Sequence, residues 1–257
     1  MLARFFCGAP ELSWAEEHGD IGPLFISFNR ISRLKFRPII ITTDFAIDSG
    51  GFTQLSKGGW PDGCEEPYIA AIRRLKRHIW KGAQHLQWIA PQDWMCEEEQ
   101  LANTGLTVLE HQQRTVQNFV RLTELAPDLP WAMAVQGTKP SEYLRILDMY
   151  ADAGVDPHAQ KIVGVGSICR IQHTDLAVEI IESLHNAGLR KLHGFGLKTE
   201  GLAKVGHLLT SADSMAWSEH ARKQKIRLDG CPHKRCVSCP KYAKQWRNRL
   251  IQRGLAA

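Results

Sequence analysis

Short apolar runs alternate with longer amphipathic stretches along nearly the whole chain, and no other feature narrows its fold as far. Strand-like runs lie at 38–43 (PIIITT), 85–90 (HLQWIA), 131–135 (WAMAV), 160–165 (QKIVGV), 190–195 (RKLHGF) and 208–212 (LLTSA). Between them, 66–81, 97–125, 140–153, 173–187 and 199–206 read as helices, and in 173–187 the residues Leu176, Ile180, Ile181 and Leu184 recur at helical spacing. Alternation of this kind predicts a parallel sheet with helical crossovers. At 257 residues both a closed (β/α) barrel and a doubly wound open sheet are accommodated.

The polar residues favour the barrel. Asp48-Ser49-Gly50-Gly51 follows the first apolar stretch, Gln92-Asp93 the second and Gln136-Gly137 the third. Gly164-Val165-Gly166-Ser167 closes the fourth, His193-Gly194-Phe195-Gly196 the fifth, and Asp213 the sixth. A barrel enzyme assembles its site at one rim from the ends of several strands, which is what six chemical strand ends in series would produce. Loops are polar and glycine-rich in any protein, so it is the recurrence that carries weight here.

Three of these ends bring a carboxylate: Asp48, Asp93 and Asp213. Carboxylates gathered in one pocket suit general acid–base work or attack at a sugar carbon. They also suit recognition of a purine, because a carboxylate accepts from the ring and exocyclic N–H groups of a guanine edge while Gln136 can donate to its carbonyl. In "IDSGGFTQL" (47–55) the pair Gly50-Gly51 would let a flat ring lie against backbone amides, with Phe52 available to stack on it. Taken singly, each aspartate is better explained as a helix cap or turn residue, and only their recurrence at strand ends lifts them above that.

Seven cysteines are unevenly spread, three of them within 231–239. The motif Cys231-x-His233-x2-Cys236-x2-Cys239 offers three thiolates and an imidazole, a complete tetrahedral zinc set with no position left for water, so the expected role of Zn2+ is structural. Cys7, Cys64, Cys96 and Cys169 stand apart and are expected to be small buried residues. The net charge of +5 is concentrated: residues 219–249 hold ten lysines and arginines against Glu219 and Asp229. Such a block suits a polyanionic partner, and equally a solvated face. No apolar run approaches the roughly 18 residues of a membrane span. The start, Met1-Leu2-Ala3-Arg4-Phe5-Phe6-Cys7, is too short and too soon polar for a secretory signal, so a cytoplasmic location is expected.

The stretches DSGGF (48–52), QDWMCE (92–97), AVQG (134–137), GVGSICR (164–170), HGFG (193–196) and ADSMAW (212–217), followed by the Cys/His motif, resemble the tRNA-guanine transglycosylase superfamily in order and character. Together with the opening FCGAPELSW (6–14), they are most similar to its DNA-acting branch, the 7-deazaguanine DNA transglycosylases of bacteria and phages. The resemblance implies an irregular (β/α)8 TIM barrel over residues 1–257, with a zinc-binding segment at 229–245. It further implies exchange of guanine in the polymer for a 7-deazaguanine such as preQ0. On the matched motifs Asp213 corresponds to the nucleophile and Asp48 to the group that assists proton transfer. Asp93, Gln136, Gly164 and Gly166 correspond to base-recognition positions, Phe52 to a stacking aromatic, and Ser49, Gly50, Gly51, Gly194 and Phe195 complete the implied substrate pocket. The chain is shorter than the tRNA enzymes and differs from them in its zinc motif, and their RNA-binding extension is expected to be absent. DNA is therefore the favoured partner and tRNA the alternative. A non-catalytic nucleic-acid-binding subunit is a further alternative, which retention of all three aspartates disfavours. A homodimer or a companion protein is compatible with the resemblance.

Overall fold

Residues 4–32 and 38–256 are described by the computed structural model of the protein. Met1–Ala3, part of the stretch weighed above as a leader, fall outside the described residues. Eight parallel strands follow one another along the chain: β1 (Arg4–Ala9), β2 (Leu24–Ser27), β3 (Phe45–Asp48), β4 (Leu86–Ile89), β5 (Met133–Val135), β6 (Val163–Val165), β7 (Leu192–Gly194) and β8 (Ser211–Ser214). They are ordered β4-β3-β2-β1-β8-β7-β6-β5. The two ends of this series meet, because Ile89 N–H donates to Pro130 O at 2.9 Å and Ala132 N–H to Ile89 O at 2.9 Å. The sheet is thus a ring, an irregular (β/α)8 barrel whose thinnest seam lies between β4 and β5 rather than between the first and last strands.

Helices return the chain from each strand to the next. They are α1 (Leu12–Glu17), α2 (Phe28–Ile31), α3 (Gly51–Leu55), α4 (Glu65–His78), α5 (Glu98–Thr104), α6 (Val108–Leu125), α7 (Pro140–Asp152), α8 (Asp175–Asn186) and α9 (Thr199–Val205), with α10 (Ala216–Lys223) and α11 (Pro240–Gln252) after β8. On α8 the anticipated apolar face is buried at Ile180, Ile181 and Leu184, with Leu176 half-buried beside them. The helical stretch 97–125 is two helices, since Gly105 leaves α5 at φ +69° and Thr107 with Glu110 forms a capping box that starts α6.

Strand alternation sorts the two cores. Along β3, Phe45 and Ile47 face the helical layer, whereas Ala46 faces the barrel interior. That interior is packed by Phe6, Phe25, Trp88, Ala132 and Ile162, with Phe195 against them. Large aromatic rings therefore fill the barrel where branched aliphatics are commoner.

Two strand expectations need correction. Ile39–Ile40 is not a barrel strand; it pairs with Ile79–Lys81 in a separate two-stranded ribbon, and the barrel strand that presents Asp48 is the next run, Phe45–Asp48. Asp213 lies within β8 rather than after it, because that strand begins three residues later than the apolar run suggests. β1 and β2, both interrupted by small or polar residues, are strands that periodicity alone did not separate from loop.

Candidate active site at the carboxyl ends of the strands

Inward-facing positions at the strand ends bring the three aspartates to one rim. Asp48 ends β3, and Asp93 follows β4 in an irregular segment. Asp213 projects from β8 on the same strand face as Ser211. Burial pushes the Asp48 carboxyl up to about 6, and the charge of Asp213 adds to that, while the Gly50 backbone N–H and the Ser27 hydroxyl oppose it. Asp93 is pushed up to about 7, first by burial and then by the charge of Asp48. Both groups can therefore give and take a proton near neutral pH. Asp213 is held differently: its Oδ1 accepts from Gly196 N–H at 3.0 Å and lies 3.2 Å from His193 Nε2.

Asp93 sits in a buried polar network. Ser49 Oγ lies 3.4 Å from its Oδ1, Gln136 donates to its Oδ2, and the Trp60 indole donates to its backbone oxygen at 2.9 Å. Gln136 in turn accepts from Ser167 Oγ at 2.6 Å, and its backbone oxygen is held by Gln112 Nε2 at 2.6 Å. Both ends of the Gln136 carboxamide are thus engaged, with one of its two Nε2 N–H groups donating to Asp93. Ser167, at φ +55°, also reaches Glu97 at 3.2 Å, so the network continues to the start of α5.

The glycines divide by what their missing Cβ would touch. Gly50 has φ +79° and starts α3 in a conformation that favours glycine. A Cβ on Gly51 would stand 3.5 Å from Asp93 Oδ1, in ordinary contact, so this backbone borders the carboxylate closely. A Cβ on Gly164 would collide with the Phe195 ring (Cζ 2.6 Å), and one on Gly166 with the Gln136 carboxamide (Cδ 2.6 Å). These two glycines make room for other site residues. Gly194 differs, since its Cβ would meet Leu197 and, at 2.9 Å, Leu209; its smallness serves packing against apolar neighbours.

Among the aromatics, Phe52 is 53% exposed at the first turn of α3, free to meet a ring from solvent. Phe195 is half-buried and packs edge-on to His193 at 4.9 Å. Sequence reasoning passed over His193 and Ser167 as individual residues, although both belong to the quoted strand-end motifs. Their signal was there: His193 and Phe195 are two apart, so they share a face, but only the fold shows that the face is the barrel interior.

A family model described as DpdA, DeoxyPurine in DNA protein A, matches residues 1–256. The chain belongs to the DpdA family. No curated protein matches it.

In this DpdA-family chain the Cys/His motif lies between α10 and α11. The ligand atoms of Cys231, His233, Cys236 and Cys239 all lie within 4.8 Å of one another and could hold a metal ion. Cys231 and Cys239 Sγ are 3.7 Å apart, and His233 Nε2 is 3.3 Å from Cys236 Sγ. A tetrahedral ion with M–S of about 2.3 Å and M–N of about 2.0 Å has S···S and N···S edges of about 3.8 and 3.5 Å, so the set fits such an ion. The motif is tied to the barrel by the Trp14 indole, which donates to Ser238 O at 3.0 Å, and by Trp246 of α11 against Phe5 of β1 (5.6 Å).

The basic block is partly consumed within the DpdA-family fold. Lys223 pairs with Glu219 and Lys244 with Asp20, both at 2.7 Å, and Arg247 is half-buried against Gly22. Arg222, Lys225, Arg227, Lys234, Arg235 and Arg249 remain exposed. Among the described residues, no helix is long and apolar enough to cross a membrane.

Proposed function

We propose that this chain exchanges guanine in DNA for a 7-deazaguanine base such as preQ0, through a covalent aspartyl–sugar intermediate on Asp213. The observation that carries the reading is the contrast between two carboxylates at one rim of a DpdA-family barrel. Asp213 is pinned through one oxygen by two donors, and Asp48 is raised toward neutrality.

In the first step an Asp213 oxygen attacks the sugar C1′, the bond from C1′ to guanine N9 breaks, and the Asp48 carboxyl gives its proton to the departing base. In the second, N9 of the incoming base attacks C1′, its proton passes to the Asp48 carboxylate, and the Asp213 ester bond breaks. The strand is never cut, and every bond broken is matched by one formed. Asp93 accepts from the base N–H groups, Gln136 donates to the carbonyl, and Ser49 and the Gly50-Gly51 backbone border the ring. Gly164 and Gly166 keep Phe195 and Gln136 in place, and Phe52 stacks on the base. Gly194 keeps the Phe195 turn closely packed. Cys231, His233, Cys236 and Cys239 would hold Zn2+, whose contribution is to cross-link the segment before α11; the chemistry at the rim runs without it.

Labelled guanine or preQ0 offered with duplex DNA, and separately with tRNA, tests the reading. Label is expected to enter DNA, and a denaturant-stable protein–DNA adduct is expected from the wild type but not from Asp213→Asn. Label in tRNA alone, or an adduct that maps to Asp48 or Asp93, would overturn the substrate or the nucleophile respectively.

A further inference from the structure

The imidazole of His193 is fully buried, and no step of the base-exchange scheme above passes through it. Its ring is enclosed by Trp88 at 4.6 Å, Phe195 at 4.9 Å, and Phe6 and Phe25 at 6.0 Å each. Both nitrogens are engaged from a single strand: Nδ1 lies 2.8 Å from Ser211 Oγ and Nε2 lies 3.2 Å from Asp213 Oδ1. Ser211 and Asp213 are two apart on β8 and share its inward face, so the strand grips the ring at both ends.

A carboxylate can only accept, so Nε2 carries the proton in this pair. Gly196 N–H donates to the same Oδ1 at 3.0 Å. Two donors therefore converge on one oxygen, and among the described residues no hydrogen bond reaches Oδ2. Asp213 is buried apart from a side-chain exposure of 10%. We infer that His193, oriented by Ser211 and its aromatic collar, is a positioning residue that fixes the Asp213 carboxylate so that Oδ2 is the oxygen presented to C1′. This rests on the base-exchange reading. The physical content is orientation: a carboxylate free to rotate about its Cβ–Cγ bond spends much of its time with neither lone pair aimed at the reacting carbon, and a misplacement on the order of 1 Å can cost about 10²-fold.

The test compares His193→Leu, His193→Gln and Ser211→Ala with the wild type in single-turnover exchange of labelled guanine into duplex DNA. DNA affinity and melting temperature are measured in parallel. Glutamine places its carboxamide nitrogen near the position of imidazole Nε2 and keeps a donor to Oδ1; leucine does not. His193→Leu is expected to lower the exchange rate on the order of 10²-fold with the KM for the base and the DNA Kd unchanged. His193→Gln is expected to recover most of that loss. Ser211→Ala alone is expected to cost about tenfold, and nothing further in the His193→Gln background, because Ser211 acts only through the imidazole. A role confined to stability would show neither the rescue nor the non-additivity.

If the wild type exchanges base while His193→Leu matches it within twofold, the inference falls and base exchange stands. A folded, DNA-binding His193→Gln that is as slow as His193→Leu overturns it as well. Should His193→Leu fail to fold, His193→Gln and the double variant decide. A wild type that exchanges no base into DNA removes the base-exchange reading itself, and that result is recognisable before any variant is made.

Discussion

Asp93→Asn should gain stability relative to the wild type as pH rises, while losing selectivity. Asp93 is 7% exposed, and its carboxyl is pushed up to about 7 by burial and by the charge of Asp48, against an ordinary 3.8. A raised carboxyl keeps its proton in the folded state where the unfolded chain has lost it. Stability therefore falls with pH between 3.8 and about 7, at 1.36 kcal/mol per pH unit, and is flat above. The whole penalty is about 4 kcal/mol, as an upper bound because solvent drawn into the pocket relaxes part of it. Between pH 5 and pH 8 the portion in play is two units, or about 2.7 kcal/mol. Asparagine never ionises, and it can still accept from Gln136 and donate to Ser49 Oγ. The stability gap between variant and wild type should thus move in the variant's favour by about 2–3 kcal/mol over that range. In a chain of this length that amounts to about 5–10 °C in Tm. Urea or thermal melts at the two pH values read it directly, and any constant offset from altered hydrogen bonds cancels. A gap that stays the same at both pH values would show that Asp93 is not a buried, raised carboxyl. In the same variant, discrimination for guanine-like bases should fall, because one of the two oxygens facing the base N–H groups becomes a donor; Asp93→Ala, which removes both oxygens, should cost on the order of 10⁴-fold.

Gly164→Ala should displace the Phe195 ring and cost about 1–3 kcal/mol by overpacking, and it should slow base exchange more than it weakens DNA binding; unchanged melting would mean that the ring is not held against that glycine. Purified protein should contain one zinc per chain, and Cys236→Ser should release the metal and expose the segment before α11 to protease while the barrel stays folded; protection equal to wild type would argue against metal-coupled folding of that segment. Reversing Arg222 and Arg249 should weaken DNA binding and shallow its salt dependence without altering base preference. Reversal of Arg247, half-buried against Gly22, should instead lower stability, and a salt-independent affinity would leave the basic block as a solvated face.

The periodicity of the chain was enough to determine a (β/α) architecture, and six polar strand ends were enough to point to one rim of it. The spacing of Cys231, His233, Cys236 and Cys239 was enough to name the cluster that could hold a metal ion, because ligands this close in sequence need little tertiary information to meet. Strands β1 and β2 escaped this reading. Their alternation is broken by Gly8 and Ser27, and a strand flanked on both sides by neighbours is held by its ladder rather than by local propensity. The run 38–43 misled for the opposite reason: three consecutive isoleucines look like a buried strand, but which of two adjacent apolar runs enters the barrel is settled by pairing with β2 and β4. Tertiary structure alone decided the inequality among the three aspartates. Sequence shows three identical carboxyls; burial and mutual repulsion raise Asp48 and Asp93, whereas Gly196 and His193, 17 and 20 residues away in sequence, close on one oxygen of Asp213. Side-chain type is local information. The field and the hydrogen bonds that give each carboxyl its role are sums over groups that only the closed barrel brings together.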